Sequence, residues 1–142
     1  MANDFNQYFI NLRDLMEMMG KTNETVAPLF TELSEAIEKK AVDKLSDAEF
    51  KNIKAEFIDA SDNYLSGIDL IKKAKPPVKL MGVNINLVKY YQEYAEATKV
   101  MTDSLDENKK TIDMDAFTKS ENDQDVAVEK FNIALNKILA HR

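Results

Sequence analysis

The chain is 142 residues long, 44% hydrophobic and 31% charged, with a formal net charge of −6. That length suits one domain able to hide roughly two-thirds of its unfolded surface, and the balance is that of a folded globule, which excludes a disordered chain. No apolar run approaches the roughly 20 residues needed to cross a bilayer, and the lack of Cys excludes disulfides, thiolate metal sites and cysteine nucleophiles.

The opening residues, Met1-Ala2-Asn3-Asp4-Phe5, show neither the basic nor the apolar region of a signal peptide. The expected location is therefore the cytoplasm, with residues 1–142 as a single helical domain. Only three Gly and three Pro occur, fewer turn residues than an all-β chain of this size requires.

In the first segment Phe5, Phe9, Leu12, Met16, Met19, Asn23, Val26, Phe30, Leu33 and Ile37 repeat at alternating spacings of four and three. This keeps one seam on one helix face. Pro28 costs a helix interior about 3 kcal/mol and Gly20 about 1, so the segment is read as one helix kinked, or broken into two, between Gly20 and Pro28.

A second helix starts at a capping box of Ser46 and Glu49, with Leu45 and Phe50 at the positions of a hydrophobic staple. Phe50, Ile53, Phe57, Tyr64, Ile68 and Ile71 hold the helical period until Lys72, Lys73 and Lys75 and then Pro76-Pro77 end it. The third helix is expected from about Asn84, or from Val78 if Gly82 is tolerated, through Leu87, Tyr91, Tyr94, Thr98, Met101 and Leu105 to near Asn108. A fourth starts with Asp113 as cap and Ile112 against Phe117 as staple, then runs through Val128, Phe131, Leu135 and Ile138. Thr118 to Asp125 contain no apolar side chain, so this helix is expected to fray or restart there. Short connections between long amphipathic helices imply an all-α, antiparallel up-down-up-down bundle of four helices.

Charge is uneven. Between Asp103 and Glu129 nine acids face three lysines, a surplus equal to the net charge of the whole chain. Lys72, Lys73, Lys75 and Lys79 form a basic cluster expected at the opposite end of the bundle. Such a dipole could steer a charged partner, although acids at a helix start and lysines at a helix end also simply complement the backbone dipoles. Nucleic-acid binding is not expected of an acidic chain whose only arginines are Arg13 and Arg142.

Catalytic and metal chemistry find little support. The one histidine, His141, is next to the last residue, which argues against Glu-x-x-His dimetal sites and a Ser-His-Asp triad. Asp113-x-Asp115 and Asp123-x-Asp125 lack the Gly and Glu that an EF-hand loop requires. No catalytic residue, cofactor or metal is expected.

Two features remain. Asn23, Ser61, Thr98 and Gln124 are weakly apolar seam positions that fall near one height when turns are counted from each loop. They form either a small-ligand pocket with hydroxyls from Tyr64, Tyr91 and Tyr94, or a register-fixing polar layer, or residues rotated to the surface. On the first helix, Tyr8, Ile10, Leu15 and Met18 flank the seam residues Phe9, Leu12, Met16 and Met19. That wide apolar face is either buried within the bundle or, through Tyr8, Leu15, Met16, Met18 and Met19, a docking face for a protein partner or a second copy.

No motif assigns the chain to a named family. In shape it resembles small helical proteins of Gram-positive bacteria, the bacteriocin immunity bundles and the secreted Trp-x-Gly hairpins, although it has no Trp and hence no Trp-x-Gly turn. The reading at this point is a non-enzymatic, adaptor-type interaction protein with no membrane or nucleic-acid partner. The alternative is a small-ligand-binding bundle using the central polar layer.

Overall fold

The computed structural model describes residues 2–141, with side chains from Asn6 onward; Met1, Arg142 and the side chain of Phe5 lie outside the described residues. Four helices pack against each other: α1 (Ala2–Glu38), α2 (Asp47–Lys73), α3 (Met81–Asp103) and α4 (Met114–Leu139). Single 3-10 turns, Val42–Lys44 and Val78–Leu80, precede α2 and α3.

The first segment is one unbroken helix through Gly20 and Pro28. Pro28 removes a backbone donor, but it lies on an exposed turn where the orphaned carbonyl can meet water. On either side of it Val26, Leu29, Phe30 and Leu33 stay in phase and pack inward, and that burial outweighs the local cost.

The capping box before α2 is present in full. The Glu49 amide donates to Ser46 Oγ at 3.0 Å and the Ser46 amide donates to Glu49 Oε1 at 3.1 Å. These bonds to Ser46 hold the Glu49 carboxyl below the usual carboxylate range. Asp113 caps α4 by accepting from the Ala116 amide at 3.2 Å.

The third helix ends earlier than its apolar stripe. Ser104 Oγ bonds back to the Met101 carbonyl, and Lys54 Nζ donates to the carbonyls of Thr102 and Leu105 at 2.7 and 2.8 Å, satisfying acceptors that have no helical donor. Beyond it Leu105–Asp106 (β1) and Thr111–Ile112 (β2) pair as a small antiparallel hairpin. Asp106 Oδ1 accepts from the amides of Asn108 and Lys109, and Lys110 takes φ 55° to close the turn. Lys110 Nζ then donates to the Leu45 carbonyl at 2.7 Å, fastening the hairpin to the connection before α2.

Neighbouring helices meet in opposite sequence order: Lys54 and Thr102, then Tyr64 and Tyr91, link α2 to α3, while Met101 meets Gln124 and Tyr91 meets Phe131 across α3 and α4. The interior divides into two apolar clusters. One gathers Tyr8, Leu12, Leu15, Tyr64, Ile71, Leu87, Tyr91, Phe131 and Ile138. The other gathers Leu33, Phe50, Ile53, Phe57, Met101, Leu105 and Phe117 near the hairpin. Among the described residues no helix is long and apolar enough to cross a membrane.

Candidate site, a polar cleft between the two apolar clusters

Where the two clusters meet, the packing opens. A cleft of about 230 Å³ is lined by all four helices. Its floor is apolar, with Val26 and Phe30 from α1, Phe57 and Ala60 from α2 and Met101 from α3. The space exists because Ala27, Ala60 and Ser61, all short side chains, line it from α1 and α2.

The four residues expected to form a polar layer all line this cleft: Asn23, Ser61, Thr98 and Gln124. They are not buried alike. Ser61 and Thr98 are 3% and 8% exposed, Gln124 is half-buried and Asn23 is exposed. Asn23 therefore belongs to the mouth and is not part of a closed internal layer.

The polar groups differ in how their hydrogen bonds are spent. Thr98 donates to the Ala95 carbonyl at 2.6 Å and Thr102 to the Thr98 carbonyl at 2.8 Å, so both hydroxyls can offer the cleft only lone pairs. Gln124 turns its amide nitrogen to Met101 Sδ at 3.5 Å, which leaves its carbonyl oxygen. Ser61 is bonded to no other described group, and its hydroxyl opens onto the cleft.

Two phenols complete the wall. Tyr64 and Tyr94 stand edge to face, ring centres 5.1 Å apart. Burial pushes Tyr64 far above the ordinary tyrosine range, with Tyr94 adding to the effect. Tyr94 is also raised, first by burial and then by the nearby Asp125 carboxylate. Tyr91, the third phenol expected here, stands outside: its hydroxyl donates to the Tyr64 carbonyl at 2.6 Å and its ring meets Phe131.

Two further lining residues were not expected at this cleft, although the sequence offers Asp125 as part of a cation-ligand pair. Glu121 and Asp125 lie one turn apart on α4 at the rim of the cleft, within the stretch expected to fray. That stretch is continuous helix. It lacks apolar side chains because one face borders the cleft, through Glu121, Gln124 and Asp125, and the opposite face is solvated, with Lys119 Nζ paired to Asp123 at 2.8 Å. Only Ser120 is buried there, its hydroxyl spent on the Phe117 carbonyl.

The expected docking face on α1 is divided by the fold. Tyr8 and Leu15 are each 1% exposed and belong to the core, so they are not available to a partner. Tyr8 turns inward because buried Asn84 on α3 accepts its hydroxyl proton at 2.6 Å, which satisfies the one polar atom that would keep a tyrosine at the surface. Burial raises its pKa to about 12. Met18 and Met19 are half-buried against the same cluster. Of the five only Met16 is exposed, and with Phe9, Ile10, Arg13 and Leu139 it lines a shallow groove between the start of α1 and the end of α4.

The chain matches no protein family, no characterised protein and no solved structure.

Proposed function

We propose that the protein is a non-catalytic binder of a small organic molecule, held in the cleft between the two apolar clusters. The observation that carries this reading is the convergence of polar side chains from all four helices on one partly open space with an apolar floor. Binding sites combine these features: apolar walls supply affinity and a few placed polar groups supply orientation. An apolar cavity of roughly 150 Å³ accepts benzene, so about 230 Å³ suits one ring with a short substituent. The phenols support binding over catalysis, since burial moves Tyr64 and Tyr94 further from the neutral range in which a general base works.

The test is a screen of ring-sized fragments by ligand-observed NMR against the wild type and Ser61→Leu, whose added side chain occupies the cleft. Fragments that bind the wild type and are lost in a folded Ser61→Leu protein support the reading. A screen without cleft-dependent binders overturns it.

A second reading, docking of a protein partner or a second copy on α1, is favoured by one observation: Ile10 and Met16 are 39% and 37% exposed beside Phe9 and Leu139. Light scattering over a concentration series decides it. A mass that rises with concentration and returns to the monomer value in Ile10→Glu/Met16→Glu supports docking between copies, and a strict monomer leaves only a different partner.

A further inference from the structure

We propose that the ligand of the cleft is a small organic cation, an ammonium group on an apolar body about one ring in size. This rests on the cleft being a ligand site and adds the chemistry of what enters it.

Apart from the Ser61 hydroxyl and the Asn23 amide, which both donate and accept, the polar groups open to the cleft offer it acceptors. Thr98 has spent its proton on the Ala95 carbonyl, and Gln124 has turned its amide nitrogen to Met101 and presents its oxygen. At the rim stand Glu121 and Asp125, both carboxylates, and among the described residues no Lys, Arg or His lines the space. An ammonium carries three donors and no acceptor, and so complements this set.

Charge selects in the same direction. Lys119, the lysine nearest Glu121 in sequence, is paired to Asp123 on the solvated face and leaves the rim charge uncompensated from that side. An anion would meet two carboxylates at the mouth, and like-charge placement of this kind is strongly unfavourable. A bare metal ion is disfavoured by the floor of Val26, Phe30 and Phe57, which offers no oxygen ligands to replace its water. An amine on a ring instead buries the ring on that floor, beside Tyr64 and Tyr94, and leaves the ammonium at the acidic rim.

The experiment compares benzylamine, benzyl alcohol and benzoate, three ligands of nearly equal size that differ in charge, by titration NMR of the full chain at low salt. Benzylamine is expected to bind about tenfold or more tightly than benzyl alcohol, a difference of about 1.4 kcal/mol, and benzoate more weakly than either. In Glu121→Gln/Asp125→Asn, two changes at accessible positions, benzylamine is expected to fall to the level of benzyl alcohol while the alcohol is unchanged. Added salt is expected to erode the amine's advantage and not the alcohol's binding. Equal binding of amine and alcohol overturns the cation proposal and leaves the cleft reading standing. Amine binding that survives in Ser61→Leu, or in the double variant, places the amine elsewhere and overturns it. Binding of none of the three overturns the cation proposal, and the fragment screen then decides the cleft reading.

Discussion

Gly67 and Ser61 lie roughly two helical turns apart on α2, and the bundle treats these levels in opposite ways. At Gly67 the helices are in contact: a methyl added there would overlap the Tyr91 hydroxyl and crowd Met18, and that hydroxyl is held by its bond to the Tyr64 carbonyl. At Ser61 an existing hydroxyl faces open space. On the same helix a glycine admits the Tyr91 hydroxyl at one height, while at the next Ala60 and Ser61 border the cleft. Small residues therefore do not by themselves make a cavity. Gly67 is met by Tyr91, whereas Ala60 and Ser61 line the cleft together with the edge-to-face pair of Tyr64 and Tyr94.

This contrast can be broken by substitution. The largest effect is expected in the cluster that holds Tyr91, where Leu87 is fully buried: Leu87→Ala should cost about 2–5 kcal/mol, measured by urea unfolding. Gly67→Ala should cost about 1–3 kcal/mol, since Tyr91 must move and its bond to Tyr64 is strained; a neutral result would show that the closed level yields as readily as the open one. Tyr91→Phe keeps the ring and removes that bond, with an expected loss of about 1 kcal/mol.

Alkali tests the same region. Tyr64 and Tyr91 are raised in the folded protein, mainly by burial, so below the unfolded value near 10 both states are protonated and stability is full. Above it the unfolded chain loses phenolic protons that the folded one retains, and stability falls as pH climbs toward the folded values. Tyrosinate absorbance is expected to rise together with the loss of helical circular dichroism. Ionisation of Tyr64 and Tyr91 in a still-folded protein would contradict their burial.

The smallest effect is expected at the open level. Ser61→Ala removes a hydroxyl bonded to no other described group and should change stability by less than about 0.5 kcal/mol. A cost comparable to that of Gly67→Ala would show that the cleft is closed by contacts its geometry does not display.

The sequence made some parts of this arrangement legible and hid others for identifiable reasons. Ser46 with Glu49, and Asp113, are local signals acting within one turn, and both caps occur where they were expected. The four helices were readable from periodicity, and Asn23, Ser61, Thr98 and Gln124 could be picked out because a seam position of the wrong polarity stands out against its neighbours; all four line the cleft. Its local consequence was harder to see. Thr118 to Asp125 looked like a failing helix only because nothing in a sequence distinguishes a turn that lacks a core from a turn that borders a cleft. The hairpin at Leu105 and Ile112 was concealed by Leu105, whose place on the apolar stripe of α3 extended that helix past its end.

What the sequence determined alone were the quantities set by neighbours in the chain: helix type, starting caps and the polarity of each seam position. The tertiary structure decided everything that depends on a distant partner. It turned Tyr8 inward by supplying Asn84 as an acceptor, divided the apolar face of α1 into core and groove, and placed Glu121 and Asp125 at a rim shared with helices far away in sequence. The reason is that burial and hydrogen-bond satisfaction are properties of a place in space, and the chain specifies that place only once all four helices have met.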